Sequence, residues 1–184
     1  MHYKNILLGS VERFNVIIET PKGSENNYEY DEKLDAIKLK WVFKNGFCFP
    51  FDYGFIPQTL AEDKDVADAF VITSYPLYPG TIAECKTIGI IEVLDRGEVD
   101  DKIIAVPVVD PEYNAYVSLQ ELQFGYKAIF EDFFRELAIQ KNKKVEVKGF
   151  HDALIARKYI EETHKIFTQQ NIEPTNYAHI PRRF

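Results

Sequence analysis

This sequence contains little cysteine and no long hydrophobic run. Its two cysteines, Cys48 and Cys85, show neither CxxC nor Cys/His spacing, so we expect buried thiols rather than a disulfide framework or a zinc site. No segment approaches the about 20 apolar residues of a membrane-spanning helix, and the apolar run near the amino terminus is too short for a signal peptide. We therefore predict a cytoplasmic protein without a membrane partner.

Positive charge is also scarce, with 22 lysines and arginines against 29 aspartates and glutamates and a net charge of −7. Because nucleic-acid phosphates are held by clustered lysines and arginines, we expect no nucleic-acid partner. The acidic surplus instead favours cations as ligands.

What is present is the composition of an ordinary globular chain, 46% apolar and 14% aromatic over 184 residues. We predict a single domain over 1–184, with a barrel part at about 15–110, a helical part at about 118–168 and a C-terminal tail at 171–184.

Short strands separated by turns dominate the barrel part. Apolar or alternating runs at 15–20, 36–43, 81–94 and 101–107 predict strands, and the Lys-Asn-Gly sequence at 44–46 is a hairpin signal. Many short strands with glycine and proline turns predict a small β-barrel or sandwich.

The periodicity of the helical part is that of α-helices. Ser118 and Glu121 form a capping-box pattern, and the apolar residues that follow recur about every 3.6 residues, which predicts one helix with a buried face. Asp152 is the expected N-cap of a second helix that runs to about Phe167, and a short strand is predicted at 145–149. The fold class is therefore mainly β with α.

The acidic segment at 62–68 lies directly before the apolar run at 69–72. Asp63, Asp65 and Asp68 cannot share one helical face, because residues two apart point to opposite sides of a helix. They can converge from a turn that leads into a strand, and carboxylate oxygens gathered in this way suit Mg²⁺. The alternative is a solvated turn, since aspartate and lysine are common in turns.

Further acidic residues fall at strand ends or turns of the barrel part. If these ends meet at one mouth of a barrel, their carboxylates repel one another unless metal ions lie between them. The residues concerned are Glu19, Glu29, Asp63, Asp65, Asp68, Asp95 and Asp100, with Lys102 two residues further on.

A set of motifs from about residue 15 to residue 107 resembles the soluble family I inorganic pyrophosphatases. The motifs are Val-Ile-Ile-Glu-Thr-Pro at 16–21, Tyr28-Glu29, Pro50-x-x-Tyr53-Gly54-x-Ile56, Asp63-x-Asp65-x-x-Asp68, Tyr75-Pro-Leu-x-Pro79-Gly80, Asp95, Asp100-x-Lys102 and Val106-Pro107. The resemblance implies an OB-like five-stranded β-barrel flanked by two helices. It also implies a homo-oligomer, as the bacterial members of that family commonly assemble as hexamers.

The same resemblance implies hydrolysis of inorganic pyrophosphate to two orthophosphates with several Mg²⁺ ions. Asp63, Asp68 and Asp100 would hold two Mg²⁺ ions that activate a water molecule. Asp65 would accept the proton of that water as general base, and Asp95 with Asp100 would bind further Mg²⁺.

Four other residues complete the implied site. Lys102 and Tyr53 would contact phosphate oxygens and stabilise the leaving phosphate. Glu19 and Glu29 would order metal-bound waters.

The chain departs from the family on the side that binds phosphate. Asn27 stands where the family has a lysine, Trp41 where it has an arginine and Phe49 where it has a tyrosine. A Tyr-Lys pair of the family aligns with Glu136 and Leu137. Because a hydrogen bond to a charged group contributes about 1.5–3 kcal/mol, these departures predict weaker diphosphate binding unless other cations replace the lost ones.

Two alternatives to pyrophosphate hydrolysis follow from these departures. Trp41 and Phe49 could offer an apolar surface to another diphosphate, although completion of the core is the favoured role for both. The chain could also be a non-catalytic assembly module that keeps only the fold. Cations that could replace the missing phosphate ligands are Lys22, Lys38, Lys40, Lys44, His179, Arg182 and Arg183.

Overall fold

The computed structural model of the protein describes residues 3–61, 64–122 and 125–170. Asp63 and the tail at 171–184 therefore lie outside the described residues. The described part contains nine β-strands and two α-helices. The strands are β1 Phe14–Thr20, β2 Asn26–Asp31, β3 Ala36–Val42, β4 Asp52–Phe55, β5 Asp68–Val71, β6 Ile82–Asp95, β7 Glu98–Val99, β8 Lys102–Pro107 and β9 Val145–Asp152, and the helices are α1 Tyr126–Gln140 and α2 Ala153–Gln169.

Five strands form a closed ring. β1 pairs with β4, β4 with β5, β5 with β8, β8 with β6, and β6 with β1 again. All these pairings are antiparallel except β5–β8, and closure leaves no free edge within the ring. The predicted five-stranded OB-like barrel flanked by two helices is thereby confirmed.

The fourteen-residue β6 is the longest strand and extends beyond the ring. Its first half pairs with β1, where Phe14 faces Cys85, and its second half pairs with β9, where Asp95 faces Val145. This second pairing brings the α1–β9 connection to the end of β6, which matters for the site described below.

The β2–β3 hairpin forms a separate two-stranded sheet. The hairpin predicted around 44–46 is wrong, because β3 and β4 lie in different sheets. Asn45 and Gly46 do turn there, with φ of 61° and 74°. The aromatic residues that follow, among them Phe47 and Phe49, pack with the aromatic core, so the chain continues to the barrel instead of returning along β3.

Helix α1 covers one side of the barrel with an aromatic face. Tyr126, Phe130, Phe133 and Leu137 are all buried in the same core cluster. The helix predicted from Ser118 onward is interrupted, since a short 3-10 turn at Leu119–Glu121 precedes α1.

Helix α2 starts at the predicted cap. The Asp152 carboxylate accepts hydrogen bonds from the backbone N–H groups of Leu154 and Ile155 at 2.9 and 3.1 Å. Its buried residues Ala156 and Ile160 join a second core cluster, with side chains from β1, β5, β6 and β8. Neither helix of the described chain is both long enough and apolar enough to cross a membrane.

Candidate active site

The described part of the acidic segment, residues 64–68, leads from a bend into a strand, as its spacing predicted. The Ala61 N–H donates to the Asp65 carbonyl at 2.8 Å, and the Lys64 N–H donates to the Ala61 carbonyl at 3.0 Å. Lys64 has a φ of 68°. The half-buried Asp65 carboxylate accepts from the Val66 N–H at 2.8 Å, which fixes its orientation three residues before β5 begins at Asp68.

A buried ion-pair group lies at the adjoining ends of β5 and β8. Asp68 and Lys102 face each other as the first residues of these parallel strands, and the Lys102 Nζ lies 2.8 Å from an Asp68 carboxylate oxygen. The same Nζ contacts the Asp100 carboxylate. Lys102 is only 1% exposed, so two carboxylates share one ammonium away from bulk water.

The charge of this group is fixed by competing effects on Lys102. Burial lowers the pKa of Lys102, but the carboxylates of Asp100 and Asp68 outweigh burial and hold that pKa above its usual value. Lys102 therefore remains an ammonium, and the group of three carries a net negative charge that a further cation would neutralise.

Tyr53 lies beside this group on β4. It is 2% exposed, and its pKa is raised well above the usual value, first by burial and then by the charges of Asp68 and Asp100. The proximity of the Asp68 carboxylate and the charge of Glu19 add to this rise in pKa. Tyr53 therefore stays protonated and can act only as a neutral phenol.

Glu19 is held close to the same group by the β2 backbone. It is 3% exposed, and its carboxylate accepts the Tyr30 N–H at 2.8 Å. The structure thus brings together five of the predicted site residues: Glu19, Tyr53, Asp68, Asp100 and Lys102.

Two further predicted carboxylates are paired with other lysines. Asp95, at the end of β6, is 8% exposed, and its carboxylate lies 2.8 Å from the Lys143 Nζ. Glu29, on β2, lies 3.0 Å from the Lys40 Nζ. Asp95 and Glu29 both raise the pKa of the same neighbour, Lys141, which places these two carboxylates around one lysine.

The carboxylates suit a hard divalent cation. Asp68 and Asp100 approach a common positive charge, and Mg²⁺ needs only one or two protein carboxylates while it keeps waters and substrate oxygens. No group of three metal-ligating side chains is found among residues 3–61, 64–122 and 125–170. The donor set therefore fits Mg²⁺ through two carboxylates, while Asp63 is not among the described residues.

The residues that depart from the family pattern have different environments. Phe49 is 1% exposed and packs on Tyr53 and Phe133 with ring centroids 5.4 and 5.2 Å apart, so its expected role in the core is confirmed. The same expectation is wrong for Trp41, which is 45% exposed, because β3 lies in the small sheet outside the barrel. Asn27 is buried beside β1.

The family's Tyr-Lys position offers no cation in this chain. Leu137 is 2% exposed in the core, and the Glu136 carboxylate accepts a hydrogen bond from the Gln140 side chain at 3.0 Å.

Of the lysines considered as replacements, Lys40 lines a cavity together with other cations. Lys22 donates to the Thr73 carbonyl at 3.3 Å, and Lys38 pairs with Asp31 on the surface. His179, Arg182 and Arg183 lie outside the described residues.

Two lysines near the site were missed by the sequence analysis. Lys141 and Lys143 belong to the connection from α1 to β9, and they lie near Asp95 because β9 pairs with β6. The signal was a run of three lysines in four residues at 141–144, directly before a predicted strand.

Comparison with known proteins identifies the family of this chain. The chain matches the family described as inorganic pyrophosphatase over residues 16–168. The soluble inorganic pyrophosphatase of Zea mays is 38% identical over 156 residues, which cover 85% of this chain and 73% of that protein. The inorganic pyrophosphatase of Synechocystis sp. is 37% identical over 148 residues, covering 80% and 88%. The crystal structure of an inorganic pyrophosphatase from Neisseria gonorrhoeae aligns with a TM-score of 0.84 and 36% identity, covering 90% of this chain and 99% of that one. This chain therefore belongs to the inorganic pyrophosphatase family.

Proposed function

We propose that this chain hydrolyses inorganic pyrophosphate to two orthophosphates and requires Mg²⁺ to do so. The observation that carries the proposal is the pair of carboxylates, Asp68 and Asp100, that surrounds the buried ammonium of Lys102 beside Tyr53. Hard oxygen ligands for a metal and hydrogen-bond donors for phosphate thus lie side by side. The named relatives support the choice of substrate.

The proposed metal ligands are the carboxylates of this group. Asp68 and Asp100, with Asp63, would hold Mg²⁺, and Asp95 would serve further ions. Bound Mg²⁺ ions polarise a phosphoanhydride and lower the pKa of a coordinated water. Glu19 would orient water molecules at the site, and Glu29 would do the same after release from Lys40.

The proposed chemical roles of the other side chains follow from their positions. Asp65 takes a proton from the attacking water as general base, since one of its oxygens is oriented by the Val66 N–H. Lys102 donates to a phosphate oxygen once its carboxylate partners bind metal. Tyr53 donates its phenolic proton, which its raised pKa retains throughout the working pH range.

The test is orthophosphate release from pyrophosphate with Mg²⁺ by the wild type and by the Asp65→Asn variant. Because a general base contributes about 10²- to 10⁴-fold to a rate, we expect the variant to lose at least about 100-fold in kcat. Asp132→Asn is the matched control, since Asp132 is 63% exposed on α1 and pairs with Arg135.

The control should retain wild-type activity. No orthophosphate release by the wild type would contradict the proposed function, and full activity of Asp65→Asn would contradict the role of Asp65.

We also propose that the protein is a cytoplasmic homo-oligomer, and the family resemblance implies a hexamer. Sedimentation velocity tests its oligomeric state.

A further inference from the structure

A cavity of about 640 Å³ with a basic lining involves both the β2–β3 hairpin and the α1–β9 turn. It is lined by Lys40, Trp41, Arg96 and residues 141–144, and is called the basic cavity below. Five of its lining side chains are cationic, and none of the described lining residues is acidic. In a chain with a net charge of −7, this concentration of positive charge on one concave surface indicates an anionic ligand.

Several cations of the basic cavity are neutralised by the protein itself. The Lys143 side chain is 6% exposed and pairs with Asp95 at 2.8 Å. Lys40 pairs with a carboxylate of its own hairpin at 3.0 Å. Lys144 is 78% exposed and pairs with Glu146, so solvent screens its charge and the carboxylate neutralises it.

Lys141 lies against two aromatic rings. Its Nζ lies 5.9 Å from the ring centroid of Trp41 and 5.8 Å from that of Phe43. Burial, followed by the charges of Lys143 and Lys40, lowers the pKa of Lys141 to about 8 against the opposing effect of two carboxylates. A bound anion would stabilise an ammonium held against aromatic rings and close to other lysines.

The backbone around Lys141 is firmly held. The Gln140 side chain accepts from the Lys44 N–H and donates to the Lys44 carbonyl, both at 3.2 Å, which ties the end of α1 to the β3–β4 connection. The Lys141 N–H donates to the Leu137 carbonyl at 3.0 Å, so Lys141 continues the face of α1 that carries Leu137.

The basic cavity adjoins the proposed active site through two ion pairs. Lys143 contacts Asp95, which is a proposed metal ligand. Lys40 contacts Glu29, which is proposed to orient water molecules at the metal site. A diphosphate bound to metal at those carboxylates would therefore have cationic side chains of the cavity as its nearest positive neighbours.

We propose that Lys141, held in place by the ring of Trp41, binds a phosphate group of the substrate in the basic cavity. This inference rests on the proposed function, because it takes pyrophosphate as the ligand. It assigns phosphate binding to a lysine of the α1–β9 turn and a positioning role to an exposed tryptophan of β3.

The test compares steady-state pyrophosphate hydrolysis by the wild type, Lys141→Met, Lys141→Arg and Trp41→Leu. Loss of a charged hydrogen bond to substrate predicts a KM increase of about 10- to 100-fold for Lys141→Met, with a smaller change in kcat. Lys141→Arg should restore most of the affinity because it keeps the charge. Trp41→Leu should raise KM by about 2- to 5-fold, in line with the loss of a cation–π contact.

The matched control is Lys158→Met, which removes the same charge from an exposed position on α2 outside the basic cavity. Its KM should stay within about 2-fold of the wild type, because exposed charges are screened. An unchanged KM in Lys141→Met, or an equal rise in Lys158→Met, would overturn the inference while the proposed function stands.

The positioning role of Trp41 has its own readout. The KM for pyrophosphate should rise at alkaline pH as Lys141 loses its proton. Without the Trp41 ring, Lys141 becomes more hydrated and keeps its proton to higher pH. The rise in KM should therefore occur at higher pH in Trp41→Leu than in the wild type. An alkaline limb that does not move would overturn the positioning role.

If the wild type releases no orthophosphate, the proposed function fails, and binding then tests Lys141 alone. Calorimetric titration with imidodiphosphate and Mg²⁺ should show weaker binding to Lys141→Met than to the wild type. Equal affinities, or no binding to either protein, would overturn the inference.

Discussion

At the scale of single residues, the site consists of lysine–carboxylate pairs at different depths. Lys102 is fully buried with two carboxylates, Lys143 is nearly buried with Asp95, and Lys40 is 42% exposed with Glu29. Metal ions that bind these carboxylates must compete with ammonium groups. The competition is strongest at Lys102, because water and salt weaken a buried ion pair less than an exposed one.

The first prediction concerns the pH dependence of folding through Lys141. Its pKa is lowered from 10.5 to about 8, first by burial and then by Lys143, with Lys40 also lowering it while Glu29 and Asp95 raise it. The unfolded state binds this proton more tightly than the folded state does. Below pH 8 the charged lysine therefore lowers the free energy of unfolding by its full amount, and this destabilisation disappears as the pH rises through 10.5. Lys141→Met should therefore gain stability relative to the wild type at neutral pH, and the gain should shrink at alkaline pH.

Urea unfolding with EDTA at about pH 7 and about pH 10 measures this effect. Lys158→Met, at an exposed position on α2, is the control and should show no pH-dependent difference from the wild type. A stability difference for Lys141→Met that is the same at both pH values would contradict the prediction.

At the scale of secondary-structure elements, the β1–β4 pairing depends on one glycine. Gly54 faces Ile18 in the ladder, and a Cβ atom at residue 54 would lie 2.0 Å from the Ile17 carbonyl oxygen. This close approach of two backbones explains why the Tyr-Gly motif has no side chain at its second position. In the same ladder Tyr53 faces Thr20.

We predict that Gly54→Ala lowers the free energy of unfolding by about 3 kcal/mol, because the backbone of β1 must move to admit the methyl group. Urea unfolding followed by circular dichroism measures this loss. Gly125→Ala is the control, since a Cβ there meets no atom within 4 Å and the φ of −69° suits alanine. Equal stabilities of the two variants would contradict the close approach at β4.

Local sequence patterns predicted the elements that depend on residues close together in the sequence. The β-branched run predicted β1, and the Asp152 cap predicted the start of α2. Both elements have bounds close to the predicted ones. The turn signal at 44–46 was misread because a left-handed turn does not specify which strands it joins.

The candidate site was predictable only where its residues lie on neighbouring strand ends. Asp68 and Lys102 could be placed together because both begin strands of one barrel. Lys143 could not be placed beside Asp95, since their contact depends on the pairing of β9 with β6 across about fifty residues of chain, which no local spacing encodes.

At the scale of the whole molecule, acidic and basic groups are unevenly distributed. A net charge of −7 coexists with a cavity lined by five cationic side chains. The proposed function assigns the acidic region to divalent cations and the adjoining basic cavity to anions. The single-domain organisation and the cytoplasmic location stay predictions.

This arrangement predicts that Mg²⁺ stabilises the fold by mass action. A ligand at 100 times its Kd adds about 2.7 kcal/mol to the free energy of unfolding, so the melting temperature should rise with Mg²⁺ concentration. The rise in melting temperature should be smaller in Asp100→Asn, which removes one proposed ligand. In the exposed control Asp132→Asn, the rise should equal that of the wild type.

Thermal melts in Mg²⁺ and in NaCl of equal ionic strength separate metal binding from simple screening of the net charge. Identical melting curves in the two salts would contradict a specific metal site.

The position of β6 in the ring has a consequence for the order of events during synthesis. β6 is hydrogen-bonded to β1, β7, β8 and β9, so the strands that precede it remain with an open edge until it leaves the ribosome. Phe14 must then find Cys85 across a long segment, and such distant pairings form slowly. The ring closes only when β8, which ends at Pro107, also pairs with β5 and β6, so the nascent chain is most exposed to edge-to-edge association until that strand is available.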